Sequence, residues 1–145
     1  AEALAIFYKI FSNEALVIDK WFALQAGASD RGGNILPTVR QLLQHPDFSM
    51  KNPNRARSLV FSYCNANPGA FHRSDAAGYV FWSDRVLEMD ATNPQVAARL
   101  ARALDRWSHL AEPYRSAAKV AIERVAAKPD LSNDVREVVS RALSQ

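Results

Sequence analysis

The chain has one cysteine, Cys64, and five glycines in 145 residues. A single thiol excludes an internal disulfide, and on the apolar side of a helical pattern a free cysteine acts as a small hydrophobe. A reducing cytoplasm is its simplest setting, so a cytoplasmic location is expected. No run of about 18 apolar residues occurs, so no membrane span is expected. The first residues, Ala1 to Lys9, lack a basic stretch and a cleavage pattern, so no signal peptide is expected in them. Charge of one sign is scarce as well. Eighteen Lys and Arg against fifteen Asp and Glu leave +3, spread without a Lys/Arg block, which argues against a nucleic-acid or lipid surface.

Motifs that carry chemistry are also missing. His45, His72 and His109 are followed by Pro46, Arg73 and Leu110. None opens the H-E-x-x-H pattern that sets two zinc ligands and a base on one helical face. Cys64 has no histidine near it in sequence to complete a metal site. There is no G-x-S-x-G elbow, Walker loop or Rossmann glycine pattern. Asp84 and Glu88 stand one helical turn apart, which reads as a mildly repulsive solvated face rather than a paired-carboxylate site. The residues themselves offer no catalytic constellation and no metal ligands.

What is present is helical punctuation. Asn-Pro occurs three times, at Asn52-Pro53, Asn67-Pro68 and Asn93-Pro94. Asparagine caps an orphan backbone N–H in the first turn, and proline at the first helical position gives up a donor that had no partner. Each pair predicts a helix start, the second only a short turn. Nothing alternates with period two over a useful length, and the apolar residues recur at helical spacing. The pattern predicts helices over 1–11, from Ser12 or Asn13 to Ala26, and over roughly 36–45, closed by His45-Pro46. Others start at Asn52, at Ser74 or Asp75 (to Met89), at Asn93, at Pro113 and at Ser132.

The helix after Asn52 carries Ala56, Leu59, Val60, Tyr63 and Cys64 as a core stripe. The helix ending at Ala26 is apolar nearly all round and should be sandwiched between neighbours. Trp21, Trp82 and Trp107 fall at helical spacing among apolar neighbours, as core anchors do. About eight helices on short connections predict a single all-α domain over 1–145. An irregular α-solenoid of the HEAT or armadillo kind, a superhelix of antiparallel hairpins, fits best, with a compact bundle as the alternative.

One polar row stands out. Gln95, Arg99, Arg102 and Arg106 recur at spacings of four, three and four, opposite Val96, Leu100, Leu104 and Trp107. It reads either as a solvated face or as a lining that holds carboxylates, since guanidinium forks bind planar oxyanions. Arg55 and Arg57, near a helix N-terminus, pose the same choice between an anion site and an ordinary salt bridge.

Several strings together resemble a known family. They are Asp19-Lys20-Trp21-Phe22-Ala23-Leu24-Gln25, Val39-Arg40-Gln41-Leu42-Leu43-Gln44-His45 and Asn52-Pro53-Asn54-Arg55-Ala56-Arg57-Ser58-Leu59. Asn67-Pro68, Ala70-Phe71-His72, Gly78-Tyr79 and Asn93-Pro94-Gln95-Val96-Ala97-Ala98-Arg99-Leu100 follow in order. They resemble the C-terminal helical region of bacterial aminopeptidase N, a zinc exopeptidase of the alanyl-aminopeptidase type. The resemblance implies a C-terminal fragment of a larger multidomain enzyme, whose zinc and catalytic residues belong to another domain. It implies that this domain closes the catalytic chamber and shapes peptide access, with no catalytic residue or cofactor of its own. Its partners would be the catalytic domain of the same polypeptide and the peptide substrate. Gln95 and Arg99, and more weakly Arg57, would line the chamber wall. The isolated chain would be inactive and could self-associate through apolar surface left bare. The alternative is a free-standing helical-repeat protein-interaction module.

Overall fold

The computed structural model describes residues 15–30, 32–50 and 52–144. The helix expected over 1–11, and the expected start at Ser12 or Asn13, lie outside the described residues. Helices and helical turns are the only regular structure among the described residues, as the spacing predicted. The backbone groups into two compact units, Ala1–Ala70 and Phe71–Gln145.

The first unit contains α1 (Ala15–Ala26), α2 (Ile35–Leu42), α3 (Pro53–Ala56), a π-helical segment (Arg57–Phe61) and α4 (Ser62–Ala66). α1 packs on α2, on the π segment and on α4. It buries Ile18, Trp21, Phe22 and Ala26. Leu24 is nonetheless 46% exposed, so this helix is not sandwiched on every side. α2 stops a turn before Pro46. Its end tightens into bonds from Gln44 N to Gln41 O and His45 N to Leu42 O, at 3.1 and 3.0 Å, which satisfy carbonyls the helix leaves open.

Asn52 caps α3: its Oδ1 accepts from the backbone N–H of Asn54 and Arg55 at 3.1 and 3.3 Å. The expected core stripe holds, with Ala56, Leu59, Val60, Tyr63 and Cys64 all buried. The wide π turns at Arg57–Phe61 were not part of that expectation. Asn67 departs from the capping pattern. Its side chain is buried and donates from Nδ2 to the carbonyls of Ala26 and Ala28, both at 2.8 Å. The turn after it, α5 (Pro68–Phe71), is four residues long. The second Asn-Pro pair thus ties off the C-terminus of α1 by way of its side chain.

The second unit holds α6 (Ala77–Asp90), α7 (Pro94–Ala101), 3-10 turns at Arg102–Leu104 and Trp107–His109, α8 (Tyr114–Ala126) and α9 (Asn133–Leu143). α6 packs on α7 and α8, and α9 on α7 and α8. Short connections between such neighbours build helical hairpins. Tyr79, Phe81, Trp82, Val86 and Met89 of α6 are buried, each large apolar side chain contributing roughly 1.5–3 kcal/mol. Both buried indoles keep their polar handle satisfied. Trp82 Nε1 donates to Leu100 O, and Trp107 Nε1 to Ala142 O, each at 2.8 Å.

The caps differ in kind. Asn93 accepts from Val96 N at 3.3 Å with Pro94 behind it, as the sequence suggested. Ser132 accepts from Val135 N at 3.2 Å while its own N–H donates to the buried Asp90 carboxylate at 2.9 Å. Its hydroxyl donates to the other Asp90 oxygen, so the end of α6 and the start of α9 share one cap. α8 follows a cis Glu112–Pro113 bond, and Glu112 accepts from Ser116 N at 2.8 Å. α6 begins after Ala76, which sits in the left-handed region at φ 66°.

The row expected to run on to Trp107 breaks. α7 ends at Ala101, tightens into the 3-10 turn, and Arg106 leaves helical geometry at φ −102°, ψ 27°.

Candidate functional site

A groove with a volume of about 340 Å³ lies in the second unit. Pro94 and the Asn93 cap set the phase of α7, which puts Val96, Ala97 and Leu100 into the core and leaves Gln95 and Arg99 on the open side. Gln95, Ala98, Arg99 and Arg102 form one wall of the groove, and Asp134, Glu137, Val138 and Arg141 of α9 form the other. Arg106 is not part of it. The break after Ala101 swings that residue off the row, so the four-member stripe expected from spacing is three members in space.

α9 supplies what the sequence reading did not assign. Val135, Val138 and Val139 pack inward, so Asp134, Glu137 and Arg141, at spacings of three and four, face the other way. Glu137 and Arg141 pair at 2.7 Å with both side chains well exposed. Arg99 makes no ion pair among the described residues. Three guanidiniums against two carboxylates leave the lining net positive, by 3 − 2 = +1. Burial raises the carboxyl of nearby Asp105, opposed by the charges of Arg102 and then Arg141. Such a lining suits a polar chain carrying a carboxylate. It holds no nucleophile or base paired for catalysis.

Arg57 belongs to the first unit. It is exposed on the π segment and reaches Asn54 Oδ1 at 3.5 Å. Its neighbour Arg55 is the salt-bridged one, donating from Nε to Asp19 Oδ1 at 2.6 Å and from Nη1 to Asp47 O. Asp84 and Glu88 do not act together: Arg124 pairs with the first at 2.5 Å and Arg85 with the second at 3.1 Å. Among the described residues no group of three or more His, Cys, Asp or Glu could hold a metal ion, and no helix is long and apolar enough to cross a membrane.

Residues 1–144 match the family described as a domain of unknown function, DUF3458_C, ARM repeats. The chain belongs to this family. The ARM-repeat description agrees with the helical solenoid class expected from the sequence.

Among similar proteins, aminopeptidase N of Caulobacter vibrioides is 42% identical over 142 residues, covering 98% of this chain and 16% of that protein. Aminopeptidase N of Haemophilus influenzae is 42% identical over 140 residues, 97% of this chain and 16% of that one. Aminopeptidase N of Escherichia coli is 41% identical over 132 residues, 91% and 15%. A crystal structure of Legionella pneumophila aminopeptidase A in complex with aspartic acid superposes with a TM-score of 0.90 at 27% identity, over 98% of this chain and 16% of that one. The chain therefore spans about one-sixth of the length of these relatives, and it corresponds to the C-terminal helical domain of aminopeptidase N.

Proposed function

We propose that the chain serves as the C-terminal domain of a zinc-dependent aminopeptidase that removes N-terminal amino acids from peptides. It closes the catalytic chamber and shapes peptide access, and it carries no catalytic residue. The observation that supports this is the identity of 41–42% to aminopeptidase N along nearly the whole chain but only 15–16% of each relative. A piece of that size leaves the hydrolytic chemistry, and the zinc, to the rest of the polypeptide. Among the described residues no cluster suits the metal, so no step of hydrolysis is assigned to them. The catalytic domain of the same polypeptide is the partner, in a cytoplasmic enzyme.

Gln95 and Arg99 act as chamber wall, and Arg102 and Arg141 extend the same surface. A guanidinium attracts the distal carboxylate of a peptide, while walls of packed helix exclude folded protein. Arg57 is the lesser candidate for such contact. Freed from its parent, the chain exposes apolar side chains such as Leu24, which favours self-association.

The test is kinetic. In the full enzyme, Arg99→Ala raises KM for peptides of four or more residues more than for an aminoacyl-arylamide, which does not reach the wall. Equal effects on both substrates remove the wall role. Robust turnover of the arylamide by the 145-residue chain alone, with zinc added, would sink the non-catalytic assignment.

A further inference from the structure

We propose that a second, smaller cavity, with His72 and Arg106 in its lining, binds the carboxylate of a ligand with a short apolar tail. This goes beyond the chamber-wall reading and does not depend on it. The cavity has a volume of about 120 Å³, and its lining is His72, Ala103, Leu104, Arg106, Trp107 and Leu110. All six residues lie within the second unit. None is shared with the larger groove.

The imidazole of His72 is fixed. Its Nδ1 lies 2.6 Å from the hydroxyl of Tyr79, and the rings of Phe71 and Tyr79 stand 5.1 and 5.6 Å from its own. Tyr79 is fully buried, and burial pushes its phenol up to about 12, so the hydroxyl keeps its proton. A protonated hydroxyl can donate to Nδ1, and in that tautomer a neutral His72 carries its own proton on Nε2. Among the described residues that Nε2–H meets no acceptor. The Arg106 carbonyl accepts from His109 N–H at 3.0 Å, while its guanidinium makes no ion pair among the described residues, and no carboxylate lines the cavity.

The rest of the wall is apolar. Trp107 commits its one side-chain polar atom to Ala142 O. His72 and Arg106, the latter permanently charged, thus line one cavity with Leu104, Trp107 and Leu110. A carboxylate can accept from both, and a hydrocarbon tail suits the apolar part of the lining. The volume equals roughly four waters, the scale of acetate to butyrate. Phosphate fits poorly, because its further oxygens would face hydrocarbon. Such a carboxylate is either a free short-chain acid or the C-terminal end of a peptide with a small last residue.

The experiment uses the chain labelled with 15N-histidine and follows the ring resonances of His72 at constant ionic strength. Sodium propionate is the first probe. An N-acetylated dipeptide ending in alanine, as the free acid and as the C-terminal amide, is the second. Saturable movement of the His72 signals with propionate is expected, weakened roughly tenfold in Arg106→Gln and unchanged in Arg99→Gln. Arg106 is exposed, so that variant keeps the fold. Binding of the peptide acid but not its amide identifies a chain end as the ligand, and binding of propionate alone identifies a free acid. No saturable shift with any carboxylate, the same response to sodium chloride, or an unaltered titration in Arg106→Gln overturns the proposal.

Discussion

Arg55 Nε donates to Asp19 Oδ1 at 2.6 Å, with 12% and 14% of the two side chains exposed. The guanidinium also reaches Asp47 O, so one cation ties α1 to the segment before α3. Removing Asp19 leaves the mostly buried Arg55 cation without its counter-charge, with only the Asp47 carbonyl to accept from it. Asp19→Ala is expected to lose about 3 kcal/mol, measured by urea denaturation. Asp19→Ala with Arg55→Met should recover part of that loss. A double variant as unstable as the single one would show that the pair is not the cause.

Asn67 and Asn93 share a dipeptide and differ in role, which predicts different costs. Asn93→Ala removes one cap bond, about 1 kcal/mol. Asn67→Ala removes two bonds, to the carbonyls of buried Ala26 and exposed Ala28, about 2 kcal/mol. Asn67→Asp is expected to be at least as costly, since a carboxylate cannot donate to either carbonyl. Thermal denaturation of the three variants checks the order.

That contrast marks how far the sequence carries. Periodicity located the core because burial is set by which face a residue occupies, and Leu59, Tyr63, Trp82 and Leu100 are all buried where spacing put them. Local caps were legible at Asn52, Asn93 and Ser132 for the same reason: donor and acceptor lie within three residues. Asn67 was not, because its acceptors lie some forty residues away. The break after Ala101 was equally hidden, and with it the departure of Arg106 from the Gln95/Arg99 row. One wall of the groove was therefore readable, with Gln95, Arg99 and Arg102. The opposite wall needed α9 to be docked before Glu137 and Arg141 could be assigned to it.

Ala76 occupies the left-handed region at φ 66°, where a β-carbon costs roughly 1 kcal/mol. Nothing in a sequence of Asp75-Ala76-Ala77 announces it. Ala76→Gly is expected to stabilise the chain by about 1 kcal/mol at fixed pH. Loss of stability in this variant would mean that Ala76 does not hold that backbone in solution.

Burial lowers the pKa of His72, and burial followed by the charge of Arg55 lowers that of His45. Their unfolded counterparts titrate near 6.5. As pH falls through that range the unfolded chain takes up protons that the folded chain does not, so folding weakens on acidification. The contribution is complete above the unfolded value and is lost as pH falls through the folded one. Stability at pH 5.5 is expected to lie below that at pH 7.5. His72→Gln, which can still accept from Tyr79, should make the dependence shallower.

Glu137 and Arg141 pair on the groove wall with 70% and 67% of their side chains exposed. An i,i+4 pair so open contributes only about 0.3–0.5 kcal/mol, and salt screens it further. Its effect is on the groove, since Glu137 occupies a guanidinium that would otherwise face a ligand. Glu137→Gln removes one of the two carboxylates from the lining while keeping its shape. The variant is expected to fold with nearly unchanged stability. In the full enzyme it should lower KM for long peptides with a free C-terminus, and leave C-terminally amidated peptides and aminoacyl-arylamides unaffected. The gain should fade between 50 and 300 mM salt as the added positive field is screened. An equal change for acid and amide peptides would mean that the groove does not sense the carboxylate, and that Arg99 and Arg141 serve the fold rather than the substrate.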